Sequence, residues 1–74
     1  MTDNEKLDDK PTEKYIELNT FIKLQGLATT GGQAKNLIRS GAIMVNGTLE
    51  TRNKKKLQEN DIVEYEGKKY HVKI

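Results

Sequence analysis

The sequence has no cysteine, no tryptophan and only one proline among its 74 residues. Without cysteine, the chain can form neither a disulfide framework nor a thiolate metal site. Its longest uninterrupted apolar run, residues 42–45, spans four residues, whereas a membrane-spanning helix needs about 20. The acidic, polar first residues are also unlike a secretory signal. These absences favour a cytoplasmic protein without a membrane segment.

Residues suited to catalysis or metal binding are scarce. His71 is the only histidine, and it has no second histidine or cysteine with which to bind a metal. Glu64 and Glu66 alternate onto one strand face, where charges that discourage strand-to-strand aggregation explain them better than a catalytic pair does. The glycine pair Gly31-Gly32 is not followed by the GK[ST] of a phosphate-binding P-loop. We therefore expect no enzyme activity, no metal and no cofactor.

Charge is divided unevenly along the chain. Residues 1–17 carry six acids against three lysines, whereas residues 18–74 carry ten basic residues against five acids. Residues 1–14 contain Pro11 and lack apolar periodicity, so we predict a disordered acidic tail there and a single domain over residues 15–74. The tail is interpreted as a solubilising extension, with shielding of the basic surface as the less favoured alternative.

The first part of the domain has the pattern of a short strand followed by a short helix. Residues 15–18 combine β-branched and aromatic side chains, which favours a short strand, with a simple lead-in to the helix as the alternative. Asn19 is suited to cap a helix over residues 20–25. Gly26 then supplies the left-handed residue that commonly ends a helix.

A second helix is predicted from the spacing of Thr30 and Gln33, which matches a capping box in which Gln33 reaches back to the amide of Thr30. The helix should end at Ser40-Gly41. Its apolar positions recur at the spacing of one buried face, and Lys35 and Arg39 fall together on another face. The apolar positions are Ala34, Leu37 and Ile38, with Ala42 just beyond the end.

From residue 42 onward the sequence alternates as strands do. Asn46-Gly47 predicts a tight hairpin between strands over residues 42–45 and 48–52. Residues 53–56 form a polar loop, Leu57 should enter the core, and Glu66-Gly67 should join strands over 62–65 and 69–74. In that second hairpin Val63 would face Tyr70 and Glu64 would face Lys69. The predicted class is α+β, with two helices packed on one side of a small, mostly antiparallel sheet.

The second helix and the following strands concentrate positive charge. Between residues 33 and 56 the single acid is Glu50. Such a local excess attracts polyanions, and neutralised phosphates would make binding steeply salt-dependent. A lysine run alone is most simply interpreted as a solvated basic face. Its combination with Lys35 and Arg39 favours binding to a phosphate backbone. The basic residues of this stretch are Lys35, Arg39, Arg52, Lys54, Lys55 and Lys56.

The few aromatic residues argue against a base-stacking platform. The four are Tyr15, Phe21, Tyr65 and Tyr70, and none lies within the basic stretch. If the ligand is a nucleic acid, recognition of its shape is therefore expected, since a platform for single strands requires exposed aromatic rings.

The stretch from Leu18 to about Val63 resembles the S-four RNA-binding domain, also called the alpha-L motif. The combined spacing of these positions is more specific than any one of them, and small stand-alone bacterial members of the family share GG-x-AK and VNG-x-x-ETR. The matching residues are Leu18, Phe21-Ile22, Gly26-Leu27-Ala28, Ala34-Lys35, Leu37-Ile38-Arg39, Gly41, Val45-Asn46-Gly47 and Asp61-Ile62.

This resemblance implies binding of structured RNA, often ribosomal or transfer RNA, by the paired helices and the following hairpin. Larger members usually carry arginines where this chain has Glu17 and Gly31. A complete RNA footprint is therefore not expected here. Backbone amides at the glycine-flanked start of the second helix would offer an anion site without those side chains.

We accordingly predict non-catalytic binding of structured RNA, ribosomal RNA or a ribosome precursor in particular, by a monomer. An adaptor that docks an acidic protein through the same face is the alternative, and nonspecific DNA binding is a third possibility. The predicted RNA contacts are Lys35, Arg39, Arg52, Lys54, Lys55, Lys56, Gly31, Gly32 and Lys23.

Overall fold

The computed structural model of the chain describes residues 14–74. The predicted acidic tail therefore lies, apart from Lys14, outside the described residues. In chain order the elements are β1 (Ile16–Glu17), α1 (Leu18–Leu24), α2 (Gly31–Arg39), β2 (Ile43–Val45), β3 (Thr48–Leu49), β4 (Lys56–Leu57), β5 (Ile62–Tyr65) and β6 (Lys68–His71).

The strands form two antiparallel sheets, and the predicted α+β class is confirmed. One sheet is the pair β1 and β4, and the other has the order β3-β2-β5-β6. The predicted polar loop over residues 53–56 was one residue too long, because Lys56 belongs to β4. This two-residue strand was missed, since so short a segment carries no alternation of its own. It exists because Ile16 lies opposite Leu57, a pairing 41 residues apart in sequence.

The first helix begins two residues earlier than predicted, and the assignment of Asn19 as its cap was wrong. Glu17 occupies the cap position without a side-chain hydrogen bond. Asn19 lies inside the helix, where its Oδ1 accepts from the amide of Thr20 at 2.8 Å. The amides of Leu18 and Asn19 instead donate to the carbonyls of Lys55 and Asn53, at 2.8 and 3.1 Å. Backbone acceptors distant in sequence thus replace a capping side chain.

The second helix is capped much as predicted, with one partner changed. Thr30 Oγ1 accepts from the amide of Gln33 at 3.1 Å. Gln33 Oε1, however, accepts from the amide and the hydroxyl of Thr29, at 2.9 and 2.7 Å, rather than from the amide of Thr30. The left-handed glycines predicted to end the helices are confirmed, with φ of +79° at Gly26 and +86° at Gly41.

Both predicted hairpins are present. Asn46 and Gly47 have φ of +53° and +82°, as a type I′ turn requires. The return strand was predicted to reach residue 52 but ends at Leu49. In the second hairpin the predicted pairs Val63 with Tyr70 and Glu64 with Lys69 are both observed. Its last strand covers residues 68–71 rather than 69–74.

The core lies between the helices and the sheets. Leu57 has no exposed surface, as predicted, and it packs in one cluster with residues of α1, α2 and the larger sheet. Neither helix within residues 14–74 has the length or apolar character needed to cross a lipid bilayer. The buried residues of this cluster are Leu18, Phe21, Ile22, Ala28, Ala34, Ile38, Ile43, Val45, Leu57, Val63 and Val72.

Candidate nucleic-acid interface

Four of the predicted contact residues surround one surface cavity of about 410 Å³, which we call the lysine-loop cavity. Three of them belong to the connection between β3 and β4, and Lys56 is the first residue of β4. The backbone of this connection is held at Asn53 and Lys55 by the first amides of α1. The loop backbone is therefore fixed by the fold while its charged groups surround an open space. The lining residues are Arg52, Lys54, Lys55 and Lys56.

The charge of Arg52 is partly neutralised by Glu50. Arg52 Nε donates to Glu50 Oε2 at 2.9 Å and Nη2 donates to Oε1 at 3.2 Å, while the Arg52 amide also donates to Oε2 at 3.0 Å. The side chain of Glu50 is 12% exposed and that of Arg52 is 71% exposed. Hydrogen bonding to Arg52 lowers the pKa of Glu50 below its ordinary value, and the same contact raises the pKa of Arg52. Arg52 is thus the one lysine-loop residue with a carboxylate partner among residues 14–74.

The ring of Tyr15 lies beside this cavity. No aromatic residue lies within the basic stretch of the sequence, but the fold brings one next to it, so the expectation that the basic residues lack an aromatic neighbour was wrong. Lys56 Nζ lies 4.8 Å from the centroid of the Tyr15 ring. Pairing of β1 with β4 brings the two together, with Glu17 opposite Lys56. The proximity of Tyr15 to Lys56 follows only from the pairing of these strands, because the two residues are far apart in the sequence.

The remaining predicted contacts lie on the helices. Lys35 and Arg39 are exposed on α2, one turn apart, and neither forms an ion pair within residues 14–74. Lys23 is exposed in the last turn of α1. None of the three lines the lysine-loop cavity. Whether they share a ligand with it stays a prediction.

The glycine-flanked start of α2 has two amides without an intramolecular acceptor in the described part of the chain. The amide of Gln33 is bonded to Thr30 Oγ1 and that of Ala34 to the Thr30 carbonyl. The amides of Gly31 and Gly32 have no protein acceptor within residues 14–74. Both glycines are exposed, so the predicted anion contact remains sterically open.

A second cavity, of about 430 Å³, lies along α2 and has a different character. Its lining contains no charged side chain, so it is poorly suited to a polyanion. It lies on a flank of the helix away from Lys35 and Arg39, as the spacing of 100° per residue requires. The lining residues are Leu27, Gln33, Asn36, Leu37 and Ser40.

The VNG turn serves the fold beyond its backbone shape. Asn46 Nδ2 donates to Asp61 Oδ1 at 3.1 Å, and Asn46 Oδ1 accepts from the amide of Ile62 at 2.9 Å. Asp61 Oδ2 in turn accepts from the amide of Gln58 at 2.8 Å. The separate VNG and Asp61-Ile62 parts of the sequence pattern are therefore one hydrogen-bonded unit.

The described part of the chain has no cluster of acidic and histidine side chains suited to metal binding. Residues 14–74 contain no group of three or more His, Cys, Asp or Glu residues placed to hold a metal ion. His71 is exposed on β6.

Comparison with known proteins adds three findings. The S4 domain family model matches residues 10–73. The chain is 34% identical over 58 residues to a protein of Escherichia coli (strain K12) named "Putative RNA-binding protein YbcJ", covering 78% of this chain and 83% of that protein. It is 36% identical over 54 residues to "Probable ribosome maturation protein RlbA" of Bacillus subtilis (strain 168), covering 73% of this chain and 76% of that one.

Proposed function

This chain belongs to the S4 domain family, and from that premise we propose that it binds structured RNA without catalysing a reaction on it. The names of its E. coli and B. subtilis relatives refer to RNA binding and to ribosome maturation. We therefore propose ribosomal RNA or a ribosome precursor as the binding partner, in preference to transfer RNA.

The observation that carries this proposal is the grouping of four cationic side chains around the lysine-loop cavity. An RNA strand presents one negative phosphate per nucleotide, so closely spaced cations on a rigid backbone suit it. Because the loop backbone is bonded to the start of α1, the segment that carries the cations is ordered before RNA binds. Affinity then loses less to the ordering of a flexible segment.

The second half of the proposed interface is the exposed pair on α2. Lys35 and Arg39 lie one helical turn apart on one face of α2, so both charges can face the same phosphate backbone. The free amides of Gly31 and Gly32 at the positive end of the same helix would add hydrogen-bond donors for one phosphate. Lys23 on α1 would contribute a further, peripheral contact.

A charge-reversal experiment tests this interface. Lys35→Glu with Arg39→Glu should remove most salt-dependent binding to a ribosomal RNA fragment, measured by a mobility shift, while circular dichroism confirms the fold. The control is Lys68→Glu with Lys73→Glu, which makes the same change in net charge on β6 and just after it. This control variant should bind the RNA far better than the α2 double variant. Full binding by the α2 double variant would exclude α2 from the interface.

The same assay distinguishes the competing functions. Equal affinity for duplex DNA and structured RNA would indicate nonspecific nucleic-acid binding, because the A-form groove geometry of RNA would then be irrelevant. Preference for an acidic protein over both nucleic acids would indicate an adaptor. The structured-RNA proposal requires that RNA compete best at equal phosphate concentration.

A further inference from the structure

Tyr15 is an exposed aromatic residue without a role in the core. Its side chain is 51% exposed, and it does not belong to the buried cluster or to the residues that pack against that cluster. The neighbouring Ile16 faces inward opposite the fully buried Leu57. Because side chains alternate along a strand, Glu17 and Lys56 project to the outer side of the β1–β4 pair, and Tyr15, directly before β1, has its ring on that side beside Lys56.

Cationic groups lie on one side of this ring, and Glu17 lies opposite Lys56 on the same outer side of the strand pair. The Lys56 ammonium lies over the ring at 4.8 Å from its centroid, a distance at which a cation is attracted to an aromatic face. Lys56 also lines the lysine-loop cavity with Arg52, Lys54 and Lys55. The ring is therefore at the edge of the proposed phosphate site, and half of its surface faces solvent.

An exposed ring beside clustered cations matches the chemistry of an unpaired nucleotide. Every base offers a flat face that stacks on an aromatic side chain, and its flanking phosphates need cationic neighbours. A fully paired helix offers the phosphates but keeps its bases stacked inside. The combination is thus suited to a bulge, a loop or a helix end rather than to a continuous duplex.

We propose that Tyr15 stacks an unpaired RNA base while Lys54, Lys55 and Lys56 neutralise the phosphates on either side of it. This inference rests on the proposed RNA binding and assigns part of its specificity to one ring. The Lys56 ammonium lies over one face of the half-exposed ring, so the base would stack on the opposite face with Lys56 beside its phosphate.

The test uses two RNA hairpins that differ by a single base. One carries a one-nucleotide adenosine bulge, and the other carries an abasic nucleotide at the same place, so the number of phosphates is equal. The full chain should bind the adenosine bulge about tenfold more tightly, a ratio typical of one base stacked on an aromatic side chain.

Variants at Tyr15 isolate the ring. Tyr15→Phe should keep the preference, and Tyr15→Leu should lose it by weakening only the adenosine hairpin, with the abasic hairpin and the salt dependence unchanged. Leu24→Ala, at another exposed apolar residue, should behave as the unchanged chain. If Tyr15→Leu keeps the preference, or weakens both hairpins equally, the stacking role is wrong although RNA binding stands. If the unchanged chain binds neither hairpin, the proposed function itself is wrong.

Fluorescence offers a direct readout. The sequence contains no tryptophan, so Tyr15→Trp introduces a single one at the proposed stacking position. Its emission should be quenched by the adenosine hairpin and should change little with the abasic hairpin. Equal quenching by both would show proximity to RNA without stacking and would overturn the proposal.

Discussion

Both carboxylate oxygens of Glu50 accept hydrogen bonds from the guanidinium of Arg52, at 2.9 and 3.2 Å. The bidentate contact places an acid at the edge of an otherwise cationic cavity. An RNA phosphate that approaches Arg52 must compete with this carboxylate or share the guanidinium with it. We therefore expect the pair to affect both stability and RNA affinity, and the two effects can be measured separately.

Stability should depend on pH through Glu50. Its pKa is lowered in the folded chain, so the folded state holds the ionised form more strongly than the unfolded state, where the value is about 4.3. The stabilisation is present above that value and is lost as the pH falls through the lowered pKa. The difference in unfolding free energy between the unchanged chain and Glu50→Gln, from urea titrations, should be constant near neutral pH and shrink under acid conditions. A difference that does not vary with pH would contradict this.

RNA affinity should respond to Glu50 in the opposite direction. Glu50→Gln removes the negative charge beside the cavity and weakens the contact with Arg52, so it should tighten binding at low salt by roughly two- to fivefold, the size of one surface charge interaction. Glu66→Gln makes the same change in the turn between β5 and β6 and serves as the control. An equal effect of both variants, measured by fluorescence anisotropy, would point to net charge alone.

The Asn46 and Asp61 side chains should contribute to stability as a pair. Asn46→Gly removes the side chain without strain at φ of +53°, and it should cost about 1–2 kcal/mol in unfolding free energy. Asp61→Ala should cost a similar amount. Because the two residues are hydrogen-bonded, the double variant should lose less than the sum. Strict additivity in denaturant titrations would show that the contact is not coupled energetically.

Two leucines that differ in burial should differ in their contribution to the free energy of unfolding. Leu57 has no exposed surface and Leu49 is 57% exposed. Leu57→Ala should cost about 2–5 kcal/mol of unfolding free energy, a large share of the stability of so small a domain. Leu49→Ala should change it by less than about 0.5 kcal/mol. Similar losses for both, in thermal or urea unfolding, would show that β4 does not close the core.

Features set by neighbouring residues could be predicted from the sequence. The α2 cap at Thr30, the left-handed glycines and the Asn46-Gly47 turn all depend on bonds or angles within a few residues. The pairing of Val63 with Tyr70 followed from a two-residue turn for the same reason. Each such signal is complete within one short stretch.

Features that join distant segments could not be predicted. The start of α1 is satisfied by carbonyls of residues 53 and 55, so Asn19, a good capping residue by type, was not needed as a cap. The β1–β4 pair is too short to show a pattern in either strand. Tyr15 and Lys56 are far apart in the sequence, so their contact in the fold could not be predicted from it.

The most direct test of RNA binding at the lysine-loop cavity is the salt dependence of affinity in two charge-matched variants. Lys54→Gln, Lys55→Gln and Lys56→Gln together should weaken binding to a ribosomal RNA fragment and reduce the slope of log K against log salt by roughly two to three, since each lost phosphate contact removes about 0.7–0.9 from it. The control, with Lys68, Lys69 and Lys73 changed to Gln, has the same net charge and should keep the slope. Equal slopes in the two variants would show that RNA does not contact the lysine-loop cavity.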